Sequence, residues 1–92
     1  MSGPFFTERI NLHIDPAQKD ELLSRLSGGL EKIGSFPVEK QVTMDGYKFL
    51  LPDGEWVAFR ASGTEPVFRC YIEARSSKRL DVLRQACRAL LS

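Results

Sequence analysis

"GSFPVEKQVTMDGYKFLLPDGEWVAFR", residues 34–60, carries the pattern of an antiparallel sheet. Three turn signals break it, at Pro37, at Asp45-Gly46 and at Pro52-Asp53-Gly54, and each leaves a run the length of one strand. Asp-Gly supplies the positive φ that a tight hairpin requires. Strands near Val38–Met44, Tyr47–Leu51 and Glu55–Ala61 are therefore expected to form an antiparallel meander. The next stretch, "AFRASGTEPVFRCYIEA" (residues 58–74), carries the chain through a polar turn into a fourth meander strand at about Phe68–Ala74.

The flanks of the meander read as one strand and two helices. Downstream, Ser76 or Ser77 supplies an N-cap hydroxyl, and Leu80, Leu83, Cys87, Leu90 and Leu91 recur at helical spacing. The outer face of that helix, with Lys78, Arg79, Arg84 and Arg88, is expected to be a solvated basic surface. Upstream, "FFTERINLHID" (residues 5–15) alternates Ile10, Leu12 and Ile14 with Arg9, Asn11 and His13, the period of a strand with one buried face. His13 then points outward, without a second metal ligand beside it. Asp15 caps a helix that starts at Pro16, with Gln18 as its capping-box partner. Leu22, Leu23, Leu26 and Leu30 mark the buried stripe, and Gly28-Gly29 ends the helix. The order strand, helix, four strands, helix makes an α+β sandwich of two layers: an antiparallel sheet of four to five strands with both helices on one face.

Ninety-two residues, 42% hydrophobic and 27% charged, suit one globular domain spanning residues 1–92. The longest apolar run is far shorter than a membrane span, and the first residues do not read as a signal peptide, so a cytoplasmic location is expected. Cys70 and Cys87 belong to no metal-binding pattern and read as reduced core thiols. The net charge of +1 argues against a dedicated nucleic-acid binder. Charge is unevenly placed, however: residues 57–92 hold seven Lys/Arg against three Asp/Glu.

That surplus surrounds the polar turn. If Val57 and Phe59 face inward before it, and Phe68, Cys70 and Ile72 after it, the simplest register sets Phe59 opposite Cys70 and Arg60 opposite Arg69. Trp56, Ala58, Tyr71 and Glu73 then share the outer face with both arginines. Like charges placed directly opposite are destabilising, which is poor scaffolding but suits an anion. Ser62 and Thr64 add hydroxyl donors, and Gly63 lets the backbone approach a ligand closely. Pro66 stiffens the exit. Glu65 is expected to turn away from a phosphate or to meet a sugar hydroxyl. Spacing alone admits a second reading, a polar turn with two solvated arginines.

"RASGTEPVFRCYIEA" also closely resembles the phosphate-binding signature in the fourth, C-terminal domain of the α-D-phosphohexomutases, the phosphoglucomutases and phosphomannomutases. The resemblance extends to "DGYKFLLPDGEWVAFR", to the last helix and, more weakly, to the first strand. It implies a TATA-binding-protein-like α+β fold, and it makes Arg60, Ser62, Gly63, Thr64 and Arg69 the grip on the phosphate of a phosphosugar. It also implies partner domains of the same enzyme: a first bearing a phosphoserine, a second holding Mg2+ and a third reading the sugar. No segment here resembles those elements, so this domain is expected to bind no metal and to contain no catalytic residue. The overall reaction implied is isomerisation of a hexose 1-phosphate to the 6-phosphate by intramolecular phosphoryl transfer. The rival class is a stand-alone interaction or nucleic-acid-binding module, since the implied fold can host that task too. The charge balance, and the lack of aromatic residues interleaved with a basic strip, weigh against nucleic acid. Neither nucleic acid nor membrane is an expected partner.

Overall fold

The computed structural model describes residues 5–43, 46–62 and 65–90. Strand β1 (Phe6–His13) leads into helix α1 (Pro16–Ser27), followed by two short strands, β2 (Lys32–Ile33) and β3 (Phe36–Pro37). The meander follows as β4 (Lys40–Val42), β5 (Tyr47–Leu50), β6 (Trp56–Ala61) and β7 (Val67–Ala74), and helix α2 (Ser77–Ala89) closes the chain. Five strands form one antiparallel sheet in the order β1-β7-β6-β5-β4, so the first strand lies beside the last. The chain thus crosses the sheet between β1 and β4, and α1 makes most of that crossing.

Local chemistry accounts for the element ends. At α1 the Asp15 carboxylate accepts from the Gln18 amide at 2.8 Å while the Gln18 side chain accepts from the Asp15 amide at 3.2 Å, completing the capping box. Ser76 caps α2 by accepting from the Arg79 amide at 3.1 Å. Between β5 and β6, Pro52–Gly54 forms a single 3-10 turn in which Asp53 and Gly54 take φ of 64° and 78°. Gly46 enters β5 at φ 118°, where a Cβ would lie 2.6 Å from the Phe59 carbonyl oxygen, so any side chain would collide with β6. Asp45 and Met44 lie outside the described residues, as does Leu91.

The core lies between the sheet and the helices. Ile10, Leu12, Phe49, Val57, Phe59, Phe68, Cys70, Ile72 and Ala74 on the strands meet Leu22 and Leu26 of α1 and Leu80, Leu83 and Cys87 of α2, all buried. Phe49 and Phe59 pack edge to face with ring centroids 6.1 Å apart. Leu23, Leu30 and Leu90 are half-buried at the margin of this cluster.

Three expectations are corrected. Pro37 does not end a turn: it is the last residue of β3 and pairs with Lys32 in a hairpin around Gly34-Ser35. That hairpin buries Ile33 completely, and a two-residue strand is too short to show alternation in sequence. The strand expected from Val38 is regular only over Lys40–Val42, because the Val38 amide is drawn off to the Glu31 carbonyl at 2.9 Å.

The third correction concerns α2. Arg79 and Arg84 are not a solvated basic face. Counted from the apolar stripe of Leu80, Leu83 and Cys87, they stand about 70° to either side, close enough to reach the sheet. Arg79 binds Glu55 through Nε and Nη2 at 2.7 and 2.6 Å, and Arg84 binds Glu8 through the same two atoms at 2.6 and 2.6 Å. Both carboxylates belong to the helix-facing side of the sheet, so α2 is fastened along both edges of its stripe by forked ion pairs. Lys78 and Arg88 remain exposed.

Candidate functional site

The register around the polar turn is the one the sequence predicts. Phe59 pairs with Cys70 and Arg60 with Arg69, and Ala61 opposite Phe68 is the last rung before the turn. Arg60 and Arg69 are both exposed on the helix-free face, while Val57, Phe59, Cys70 and Ile72 are buried beneath it. Asn11 of β1 stands opposite Arg69, so one cross-strand row reads Asn11, Arg69, Arg60. Trp56 and Tyr71 are half-buried on the same face, further from the turn. The Trp56 indole N–H donates to Glu73 at 3.2 Å, and the Lys48 ammonium sits 4.3 Å from the centre of its ring.

Ser62 is held at all three of its polar groups. Its amide donates to the Val67 carbonyl at 3.0 Å, its hydroxyl oxygen accepts from the Glu65 amide at 3.3 Å, and its carbonyl accepts from the Lys19 ammonium of α1 at 2.6 Å. An accepting hydroxyl keeps its own proton, so Ser62 can still donate one hydrogen bond. The other stem of the turn is also held: the Pro66 carbonyl accepts from the Ile14 amide at 2.9 Å, and the Glu65 carbonyl from the Val67 amide at 2.7 Å. Glu65 itself is exposed. Gly63 and Thr64, the other two residues of the expected site, lie outside the described residues. The structure thus brings Arg60, Arg69 and Ser62 to one end of the β6–β7 hairpin.

Lys19 is the polar neighbour that sequence reasoning missed. It occupies an ordinary position in an amphipathic helix, and nothing local distinguishes it. Only the packing of the β1–α1 junction against the turn brings it to Ser62.

Away from the turn, the other strong polar cluster surrounds Glu55, whose residue is only 1% exposed. Its carboxylate accepts from Arg79 and, at 2.9 Å, from the Arg75 amide, and the Arg79 guanidinium also lies 4.8 Å from the centre of the Phe36 ring. Burial is the largest single influence on this carboxyl and pushes its pKa up. The Arg79 hydrogen bonds, the Arg75 amide and both positive charges together outweigh it and hold the group below its ordinary value. Hydrogen bonding to Arg84 likewise lowers Glu8, and each carboxylate raises its arginine partner. This cluster is fully paired and serves to bind α2 to the sheet. Cys70 and Cys87 are buried free thiols, and contact with Cys87 together with burial pushes the Cys70 thiol up, away from reactivity.

A two-layer α+β domain with two arginines paired across the mouth of a short polar turn is thus the setting in which the comparisons with known proteins fall. Residues 17–90 match the family model described as phosphoglucomutase/phosphomannomutase, C-terminal domain. The chain belongs to that family. It is 32% identical over 79 residues to a phosphopentomutase of Thermococcus kodakarensis, covering 86% of this chain and 18% of that protein. Over 56 residues it is 36% identical to a probable phosphoglucosamine mutase of Pyrococcus abyssi, covering 61% of this chain and 12% of that one. A phosphoglucomutase/phosphomannomutase of T. kodakarensis matches over 37 residues at 51% identity, 40% of this chain and 8% of its own length. These relatives are phosphosugar mutases by name, and the chain spans less than a fifth of their length. Among the described residues no helix is long and apolar enough to cross a membrane.

Proposed function

We propose that the turn between β6 and β7 grips the phosphate group of a phosphosugar, and that the chain does so as the C-terminal domain of a mutase whose other domains carry the chemistry. The observation that carries this reading is the placement of Arg60 directly opposite Arg69, both exposed on the helix-free face. A tetrahedral phosphate accepts from two guanidinium forks at once, and its charge removes the repulsion between them. Ser62, Gly63 and Thr64 would complete the grip through hydroxyls and backbone amides.

In such a mutase Arg60 and Arg69 would act as positioners, with no part in proton transfer. Binding energy drawn from a phosphate that does not react holds the sugar in line for attack at its other end, where it lowers the barrier. The phosphoryl donor and the magnesium ion that the family implies are assigned to other domains. Among the described residues no three His, Cys, Asp or Glu side chains converge. A hexose phosphate, turned between its 1- and 6-phosphates, is the substrate we assign, and cytoplasm the compartment. The phosphopentomutase among the relatives keeps the assignment of the sugar separate from that of the phosphate grip.

The direct test is an NMR titration of the 92-residue chain with inorganic phosphate at constant ionic strength. Two or three charge-assisted hydrogen bonds contribute about 1.5 to 3 kcal/mol each, and association costs at least about 4 kcal/mol, so a Kd near or above 1 mM is expected. Amide shifts should cluster at Ser62, Gly63 and Thr64 and vanish when Arg60 and Arg69 are both replaced by glutamine. Shifts confined to α2 around Lys78 would refute the reading.

A further inference from the structure

The contact between α1 and the turn carries one step more, which rests on the phosphate reading above. We propose that Lys19 is a positioning residue of the phosphate site, acting through the Ser62 carbonyl. Its ammonium donates to that oxygen at 2.6 Å across 43 residues of sequence. The Lys19 amide donates to the Asp15 carbonyl at 2.9 Å, so its side chain leaves α1 on the same face as the cap, the face turned to the hairpin end.

Two consequences follow from this bond. The first is geometric. Pro66 is tied to Ile14 by a backbone hydrogen bond at 2.9 Å, so with Lys19 on Ser62 the β1–α1 junction holds both stems of the turn at once. Donors carried on stems that are already fixed lose less freedom when an anion binds, and the affinity rises accordingly. The second is electronic. A carbonyl that accepts a charge-assisted hydrogen bond polarises its own peptide group, which makes the N–H of that group a stronger donor. The peptide group of the Ser62 carbonyl supplies the Gly63 amide, one of the donors assigned to phosphate. Lys19 thus strengthens the grip without touching the anion.

The test compares the wild-type chain with Lys19→Met and Lys19→Arg. In phosphate-free buffer Lys19→Met should keep its far-ultraviolet circular dichroism while the Gly63 amide proton moves upfield and the Val67 amide exchanges faster. Its Kd for inorganic phosphate at constant ionic strength should rise about tenfold, the scale of one hydrogen bond to a charged group. Lys19→Arg, which keeps both charge and donor, should restore the Gly63 resonance and bring the Kd within about threefold of wild type. A Lys19→Met chain that binds phosphate as tightly as wild type, with the Gly63 amide unmoved, overturns the role of Lys19 and leaves the phosphate site standing. A wild-type chain with no response to phosphate overturns both. If Lys19→Met fails to fold, Lys19→Gln takes its place under the same criteria.

Discussion

Replacing Arg60 by glutamine should remove phosphate binding without destabilising the free domain, because in the absence of an anion Arg60 and Arg69 oppose each other. Two unit charges about 6 Å apart, on the order of the spacing between directly opposed cross-strand residues, repel by about 0.7 kcal/mol in water. A Debye length of about 8 Å at physiological ionic strength cuts that to about 0.3 kcal/mol. Both side chains are exposed, so the screened value is the appropriate one. Glutamine keeps a polar stem on the strand and forfeits only the charge. Urea denaturation followed by circular dichroism should therefore find Arg60→Gln equal to wild type or a few tenths of a kcal/mol more stable. The gap should narrow between about 20 and 200 mM NaCl as salt screens the wild-type pair. Phosphate reverses the order. At ten times its Kd it should stabilise wild type by about 1.4 kcal/mol and the variant by almost nothing. A loss of more than about 1 kcal/mol in phosphate-free buffer would make the pair part of the scaffold. Equal stabilisation of both proteins by phosphate would place the anion elsewhere. Either result would overturn an anion site between Arg60 and Arg69.

Three further outcomes are expected. Glu55→Gln should cost about 2 kcal/mol at pH 7 in urea unfolding, less than the 3 to 5 kcal/mol of a fully buried pair because the Arg79 side chain keeps 41% of its surface in water. Because the folded-state pKa of Glu55 lies below its unfolded value, its contribution is complete above the ordinary glutamate pKa and disappears as pH falls through the folded one. Wild type should therefore lose stability on acidification through that window, and the variant should show a shallower fall. The chain alone, with or without magnesium, should not convert glucose 1-phosphate or mannose 1-phosphate in a coupled assay, since the phosphoryl donor is assigned to another domain. Turnover that survives removal of contaminating mutase would contradict this. Finally, Cys70 and Cys87 should resist a thiol reagent in native buffer and react promptly in urea, and rapid native labelling would show that the core opens.

The elements and the family were legible because their signals are local. Asp15 and Gln18 cap a helix wherever they stand in that order, Asp53-Gly54 turns a chain without outside help, and alternation along β6 and β7 sets which side of Phe59 and Cys70 is buried. Once those faces were set, the pairing of Arg60 with Arg69 followed from the period of a strand. The β2–β3 hairpin escaped because two-residue strands have no period, and Ile33 is buried only through what covers it.

Tertiary structure alone decided what the long polar side chains do. Arg79 and Arg84 look like solvent-facing residues until the helix is laid on the sheet, where Glu55 and Glu8 wait 24 and 76 residues away. Lys19 meets Ser62 across 43 residues for the same reason. An apolar side chain has one favourable place, out of water, and periodicity reveals it. A lysine or arginine is equally content in water, and its partner is chosen by which backbone segments the folded core brings within reach of its stem.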